Sequence, residues 1–312
     1  MKFPKVALVK QRFRGPAVQD IDKAVSDQLA AIGLADQITP GMRIAITAGS
    51  RGIANIAVII RATVHELKKL GAAPFIVPTM GSHGGATAEG QVEVLESLGV
   101  TEAFCGAPIQ SSMEVVHIGE TPAGMPVHVD KNAWEADGIV LMGRVKVHTD
   151  FKSPIHIESG LMKMAAIGLG KHKQALLIHS YGVHGIRDIM PEVAQVMLDK
   201  AKIICGVALI ENAFEQTAKI EAIPTASIPE REKELLKESA LLCLSFLSKI
   251  LTFWSLAKSG KITAAQGWTP TSSGAFAFLE WKSRKHRVLS TLSQVTSVKN
   301  PMGTRSESDW PI

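Results

Sequence analysis

Short apolar runs alternate with amphipathic stretches over the first 240 residues. Runs such as RIAIT and GIVLM predict buried strands, whereas residues 53–70 repeat apolar positions at helical spacing and end before Gly71. The predicted strands are 6–9, 43–47, 74–78, 138–142 and 203–210, and the predicted helices are 20–32, 53–70 and 87–98. This alternation indicates βαβ units, so we predict an α/β fold with a parallel or mixed sheet flanked by helices.

Three loops between these elements are rich in Gly, Ser, His, Arg or Lys. They are residues 48–53, 79–87 and 143–159, and each follows a predicted strand. Ligands of parallel sheets bind at the carboxyl ends of the strands. The sequence therefore predicts that these loops share one functional site.

The first loop, AGSRG, contains Gly49, Ser50 and Arg51 between a strand and a helix. Glycine lets a backbone approach a ligand, and the N-terminus of a helix favours an anion. Arg51 could hold a carboxylate through two parallel hydrogen bonds. The alternative interpretation is a tight turn with a solvated arginine.

The second loop, MGSHGG, places His83 among glycines after a strand and before a helix. Imidazole titrates near neutral pH, so it can accept and return a proton. The alternative is a histidine that caps helix 87–98, although Thr87 or Ala86 is the better start for that helix.

The third stretch, from residue 143 to 182, is the densest in titratable side chains. It contains His148, Lys152, His156, Glu158, Lys163, Lys171, His172 and His179. No pair has the spacing of a zinc-binding helix, and 171–173 is expected to be a solvated helix start. Lys163 lies in the apolar, Gly-rich run SGLMKMAAIGLG, where a desolvated amine could act as a nucleophile or covalent anchor. A lysine at the edge of the core is the alternative.

Composition narrows the classes of function. Of the 312 residues 46% are hydrophobic and 20% charged, which excludes global disorder. The net charge of +5 is scattered, so it suits a small anionic substrate better than nucleic acid. Three distant cysteines without a CxxC motif argue against disulfides and a cysteine zinc site. We find no signal peptide and no membrane-spanning run, and we expect a cytoplasmic protein.

The three loops, in this order, resemble the N-terminal domain of the nickel-dependent lactate racemase family over roughly residues 5–240. The shared features are an Arg-bearing loop, a Gly-x-His loop and a His…Lys…His series, here Arg51, His83, and His148, Lys163 and His179. Lys163 precedes His179 by sixteen positions, as in the family.

The resemblance implies a nickel pincer nucleotide, in which a modified pyridinium mononucleotide binds nickel through carbon and two sulfurs. It implies Lys163 as the covalent anchor, with Gly49 and Ser50 also at the cofactor. It further implies that His179 is the nickel ligand. The implied activity is racemisation or epimerisation of a small 2-hydroxy acid by hydride transfer, and the implied partners are the cofactor-biosynthesis enzymes.

Under that resemblance His83 and His148 are the two acid/base residues, and Arg51 binds the substrate carboxylate. Inversion requires a base on each face of the substrate, which accounts for two histidines. The chain departs from the family in having Ala48 where an Asp is usual, and in a longer stretch between His148 and Lys163. Both departures indicate a divergent subfamily.

From about Leu242 the alternation of strands and helices ends, and apolar residues follow no period that could bury one face. When SGKITAAQGWTP is back-translated and read one base earlier, permitted codons give IGKDNSGTGMDP. That peptide resembles a second-domain motif of the family that includes a catalytic-site lysine. The segment NPMGTRSESDWPI in the same frame can give SHGN followed by GLAD. We therefore predict that residues 241–312 are a frameshifted remnant, so that the second α/β domain is degraded or missing.

Three functions stay open from the sequence. The first is a 2-hydroxy-acid racemase or epimerase, and the second is a related oxidoreductase acting on another hydroxy acid. The third is a non-enzymatic cofactor-binding homologue without a functional second domain, which would lack the second-domain lysine near the site.

Overall fold

A five-stranded sheet with strand order β2-β1-β5-β6-β7 forms the centre of the fold. The computed structural model describes residues 15–148 and 151–242. The strands of this sheet are β1 (Arg43–Ala48), β2 (Ala73–Pro78), β5 (Gly138–Arg144), β6 (Ile203–Glu211) and β7 (Thr217–Pro224). The first four strands are mutually parallel, and β7 pairs antiparallel with β6. A separate antiparallel hairpin joins β3 (Val115–Glu120) and β4 (Pro126–Asp130).

Helices cover both faces of the sheet. The α-helices are α1 (Ile21–Ala31), α2 (Ile56–Lys69), α3 (Ala88–Ser97), α4 (Glu102–Cys105), α5 (Lys131–Trp134), α6 (Leu161–Lys163), α7 (Lys171–His179), α8 (Gly182–His184), α9 (Met190–Lys200) and α10 (Ile228–Leu242). Short 3-10 turns occupy Leu34–Gln37, Gly84–Ala86 and Thr225–Ser227, and π-helical turns occupy Met164–Gly168 and Gly185–Ile189. The predicted α/β class and the mixed sheet are confirmed.

Alternating side chains of the strands feed two hydrophobic cores. On β1, Ile44 and Ile46 face the core shared with α1 and α2. Ala45 faces the opposite core, which is completed by α6, α7, α9 and α10. Strands buried on both faces need continuous apolar runs, and this is why β1, β2, β5 and β6 could be predicted from the sequence.

Helix starts follow from local side-chain chemistry. The Asp20 carboxylate accepts a hydrogen bond from the backbone N–H of Lys23 at 2.9 Å and so caps α1. Thr87 caps α3 in the same way, with its hydroxyl 3.1 Å from the Gly90 nitrogen. The predicted helices 20–32, 53–70 and 87–98 are confirmed, with ends that differ by one to three residues.

Two predictions lie outside the described residues. The strand predicted at 6–9 is one of them. The other is the aberrant segment from residue 241, of which only Leu241 and Leu242, at the end of α10, are described.

Helix α10 allows a matched test of core packing. Leu235 is fully buried, whereas Leu241 on the same helix is 86% exposed. We expect Leu235→Ala to lower the free energy of unfolding by about 2–5 kcal/mol, because it removes buried apolar surface and leaves a cavity. Leu241→Ala should change that free energy by no more than about 0.5 kcal/mol. Urea denaturation of both variants measures the difference, and equal effects would contradict the assigned burial of α10.

Candidate functional site

The three predicted loops follow β1, β2 and β5, which are neighbours in the sheet, so their starts lie side by side. The register pairs Ala48 with Pro78, and the Thr79 N–H donates to the Ala48 carbonyl at 2.8 Å where the first two loops begin. The Ser50 hydroxyl oxygen lies 2.5 Å from Nδ1 of His83. The first two loops therefore form one continuous surface at the carboxyl edge of the sheet.

The first loop is seated on the segment that carries Lys163. Gly49 is buried, and a Cβ added there would lie 3.0 Å from the Met164 side chain. A side chain at position 49 would therefore require the terminal methyl of Met164 to move by a few tenths of an ångström. Ser50 is half-buried and Arg51 is exposed, so the guanidinium faces solvent at the rim of the site.

The second loop holds His83 through its glycines. Gly81 has a φ of +59°, and a Cβ there would lie 3.2 Å from both Ala175 and Ile167 of the α6–α7 region. This close approach requires glycine. The helix-cap alternative for His83 is not adopted, because Thr87 caps α3 and the His83 side chain makes no cap hydrogen bond.

The imidazole of His83 lies in a positive environment. Partial desolvation lowers its pKa, although the residue as a whole is exposed, and the nearby charges of Arg51, Lys163 and His179 lower it further. The ring is therefore neutral at pH 7 and able to accept a proton. Three other predicted site residues, Arg51, Lys163 and His179, therefore each lie within electrostatic reach of His83.

Lys163 and His179 are the last residues of two successive helices, α6 and α7. Lys163 is half-buried at the end of α6, and His179 is the last residue of α7, with a π-helical turn between the two helices. Nδ1 of His179 lies 2.6 Å from the carbonyl oxygen of Ala175. A proton on Nδ1 satisfies that carbonyl and leaves Nε2 with its lone pair, which is the arrangement of most metal-binding histidines.

His148 lies on the third loop, after β5. Its backbone N–H donates to the buried carboxylate of Glu158 at 2.6 Å, and its ring stacks on Phe151 with centroids 4.4 Å apart. Glu158 also accepts the backbone N–H of Ser153 at 3.0 Å, so it closes this loop. The structure thus places Arg51, Lys163 and His179 within electrostatic reach of His83, and the contacts of His148 include those with Glu158 and Phe151.

Residues 8–153 match the family model "Lactate racemase N-terminal domain". This part of the chain is therefore similar to the N-terminal domain of lactate racemases. The matched range contains Arg51, His83 and His148, whereas Lys163 and His179 follow it.

The fold is similar to that of the lactate racemase apoprotein from Thermoanaerobacterium thermosaccharolyticum, with a TM-score of 0.51 and 14% sequence identity. That similarity covers 72% of this chain and 57% of the apoprotein, so the chain spans little more than half of its length. The curated proteins include no match to the sequence.

Two negative findings apply to the described part of this lactate racemase-like chain. None of its helices is both long and apolar enough to cross a membrane. Within residues 15–148 and 151–242, no group of three or more His, Cys, Asp or Glu could hold a metal ion.

The expectation of a solvated helix start at 171–173 was wrong for Lys171. Its side chain is fully buried, and Nζ donates to the Pro78 carbonyl at 2.7 Å and to Oε1 of Gln91 at 2.8 Å. The carboxylate of Asp130, also fully buried, lies 3.3 Å away. Burial lowers the pKa of Lys171 and raises the pKa of Asp130, and their mutual attraction offsets part of both effects. The clue in the sequence is the apolar run IGLG directly before this lysine.

Charged residues that the sequence analysis missed also support the first loop. Arg144, at the end of β5, donates to the Gly52 carbonyl at 3.3 Å and pairs with Glu211. Glu211 in turn accepts the backbone N–H of Ala54 at 2.7 Å. The loop that carries Arg51 is therefore fastened to the ends of β5 and β6.

Glu232 binds the backbone at the start of α6. It is fully buried on α10, and its carboxylate accepts the backbone N–H of Met162 at 2.9 Å. A Cβ on Gly160 would lie 2.5 Å from the carboxyl carbon of Glu232, so only glycine permits this approach. Burial raises the pKa of Glu232 from 4.5 to about 7.

Glu232 should make stability depend on pH. Between about pH 4.5 and 7 the folded state binds a proton at Glu232 that the unfolded state has lost, so the free energy of unfolding falls as pH rises. We expect Glu232→Gln to remove on the order of 3 kcal/mol of this decrease, because each pKa unit corresponds to about 1.4 kcal/mol. Urea denaturation at pH 5 and pH 8 measures it.

Glu230→Gln is the matched control, since Glu230 lies on the same helix with its side chain 80% exposed. This variant should keep the pH dependence of the wild type. The same pH dependence in Glu232→Gln and wild type would contradict the assigned role of Glu232.

Proposed function

We propose that this chain is built for racemisation or epimerisation of a small 2-hydroxy acid with a nickel pincer nucleotide as cofactor. The observation that carries the proposal is the joint effect of Arg51, Lys163 and His179 on the pKa of His83. The candidate carboxylate-binding residue, covalent anchor and metal ligand thus each lie within electrostatic reach of the candidate base. The match of residues 8–153 to the lactate racemase N-terminal domain supports a racemase-type activity.

The residues fit the proposed cofactor by their chemistry. His179 offers Nε2 while its Nδ1 lies at the Ala175 carbonyl, and the described residues provide no set of three metal-binding side chains. As the family resemblance implies, His179 would be the ligand from the chain, and carbon and two sulfurs of the organic group would supply the other donors to nickel. Lys163 would be the covalent anchor, and Gly49 and Ser50 would line the cofactor. When bound, the cofactor supplies the hydride acceptor for C2 of the substrate.

The remaining steps belong to side chains of the protein. Arg51, exposed at the rim, would bind the substrate carboxylate and so fix the orientation of C2. His83, neutral at pH 7, would accept the hydroxyl proton, with Ser50 orienting its ring. His148, on a different loop, would serve the opposite face, because inversion needs a proton carrier on each side.

We further propose that residues 241–312 are a frameshifted remnant of a second domain. The family-like motifs that appear one base earlier support this. The chain as given would then bind cofactor without turning over substrate. Sequencing the gene around codon 242 tests the frame directly.

Covalent attachment at Lys163 is the first test. When the chain is produced together with the cofactor-biosynthesis enzymes, intact-protein and peptide mass spectrometry should find an added mass on Lys163, and metal analysis should find nickel. Lys163→Ala should abolish the added mass. His179→Ala should lose most of the nickel and keep the organic mass, because ligand and anchor are different groups.

Lys173→Ala is the control for the anchor, since Lys173 is an exposed lysine of the same helical region. It should keep both the mass and the nickel. An unmodified wild type, or an added mass that persists in Lys163→Ala, would refute the cofactor assignment.

Racemisation is the second test. We expect a frame-corrected chain, loaded with cofactor, to racemise at least one of a series of 2-hydroxy acids, and the chain as given to be inactive. In the active form Arg51→Ala should lower kcat/KM roughly 10- to 100-fold, the effect of losing a charge-assisted hydrogen-bond pair. Chiral chromatography measures both. Activity in the chain as given would refute the proposal for residues 241–312.

A further inference from the structure

The buried Lys171 connects the loop of His83 to the helix of His179. Its ammonium lies among the end of β2, helix α3 and the end of β4, through Pro78, Gln91 and Asp130. Lys171 is also the first residue of α7, whose last residue is His179. One side chain thus joins the two segments that carry the candidate base and the candidate metal ligand.

Gln91 bridges Lys171 and the His83 loop, and its contacts on both sides fix which way its amide points. An ammonium can only donate, so it holds Oε1 of Gln91 towards itself. The amide nitrogen of Gln91 is then directed at the His83 loop, where it donates to the carbonyls of Gly81 at 3.0 Å and His83 at 3.2 Å. The ammonium accepts no hydrogen bond and the two carbonyls donate none, so both sides of Gln91 require the same orientation of its amide.

Stability alone is a poor explanation for this lysine. A buried ion pair can often be replaced by apolar side chains without loss of stability, because the desolvation penalty cancels much of the attraction. Lys171 in addition has a φ of +53°, a backbone conformation that costs energy for a residue with a side chain. Because both the buried charge and the positive φ of Lys171 cost free energy, we infer that its ammonium is needed to position the groups around it.

We propose that Lys171, acting through Gln91, is a positioning residue that holds His83 against Ser50 and towards the end of α7. Its importance for catalysis rests on the proposed function, in which His83 exchanges a proton with the substrate. The positioning itself is a property of the protein without cofactor, so it can be measured whether or not the cofactor assignment holds.

The test is a pH titration of the His83 ring by NMR on the full chain without cofactor, with the signal assigned from its loss in His83→Gln. In wild type the pKa is lowered by desolvation and by Arg51, Lys163 and His179. Gln91→Met is neutral and leaves the Lys171–Asp130 pair in place. It should release the loop, move the ring away from those charges and tighten proton binding at His83 roughly threefold or more. Lys171→Met should shift the titration in the same direction.

Gln174→Met is the matched control. Gln174 is as deeply buried as Gln91, but it accepts the backbone N–H of His128 at 2.9 Å and does not contact the His83 loop. Its substitution should leave the His83 titration unchanged. If Lys171→Met does not fold, the titration of His83 in Gln91→Met alone tests the proposal. An unchanged titration in folded Gln91→Met, or an equal shift in Gln174→Met, would overturn the proposal.

Discussion

The burial of one ammonium group, that of Lys171, constrains the site more than any other interaction. A charge removed from water is tolerated only when its partners are fixed around it, and here they are a carbonyl of β2, an amide of α3 and a carboxylate of β4. Because the ammonium only donates, each partner must present an acceptor in one direction. The charge of Lys171 therefore fixes the positions of the sheet edge, the His83 loop and α7 relative to one another.

Other segments of the site are likewise fixed by a largely buried charged side chain, in these cases a carboxylate that binds their backbone. Glu211 binds backbone under the Arg51 loop, Glu158 binds backbone under the His148 loop, and Glu232 binds backbone at the start of α6. In each case a largely buried carboxylate holds main chain, while the candidate functional side chain nearby stays exposed or half-buried. This division allows the exposed groups to serve chemistry while the carboxylates fix their backbones.

The sequence predicted those elements of the fold that local apolar patterns determine. The apolar runs of β1, β2, β5 and β6 could be recognised because both faces of these strands are buried. Strand β7 escaped notice, because Lys219 and Glu221 interrupt its apolar residues and are satisfied by ion pairs with other elements. Lys171 was misjudged for a related reason: its burial depends on Asp130, forty-one positions earlier in the chain, and local pattern carries no information about such a partner.

The electrostatics of the site link binding to proton transfer under the proposed function. Desolvation, and then the charges of Arg51, Lys163 and His179, lower the pKa of His83, so the site presents a neutral imidazole beside positive charge. A carboxylate bound by Arg51 would neutralise part of that charge and thereby raise the His83 pKa towards its ordinary value. The base would then gain proton affinity only when a substrate is present. Arg51 would thus attract the acid and, once paired with it, strengthen the base that acts on it.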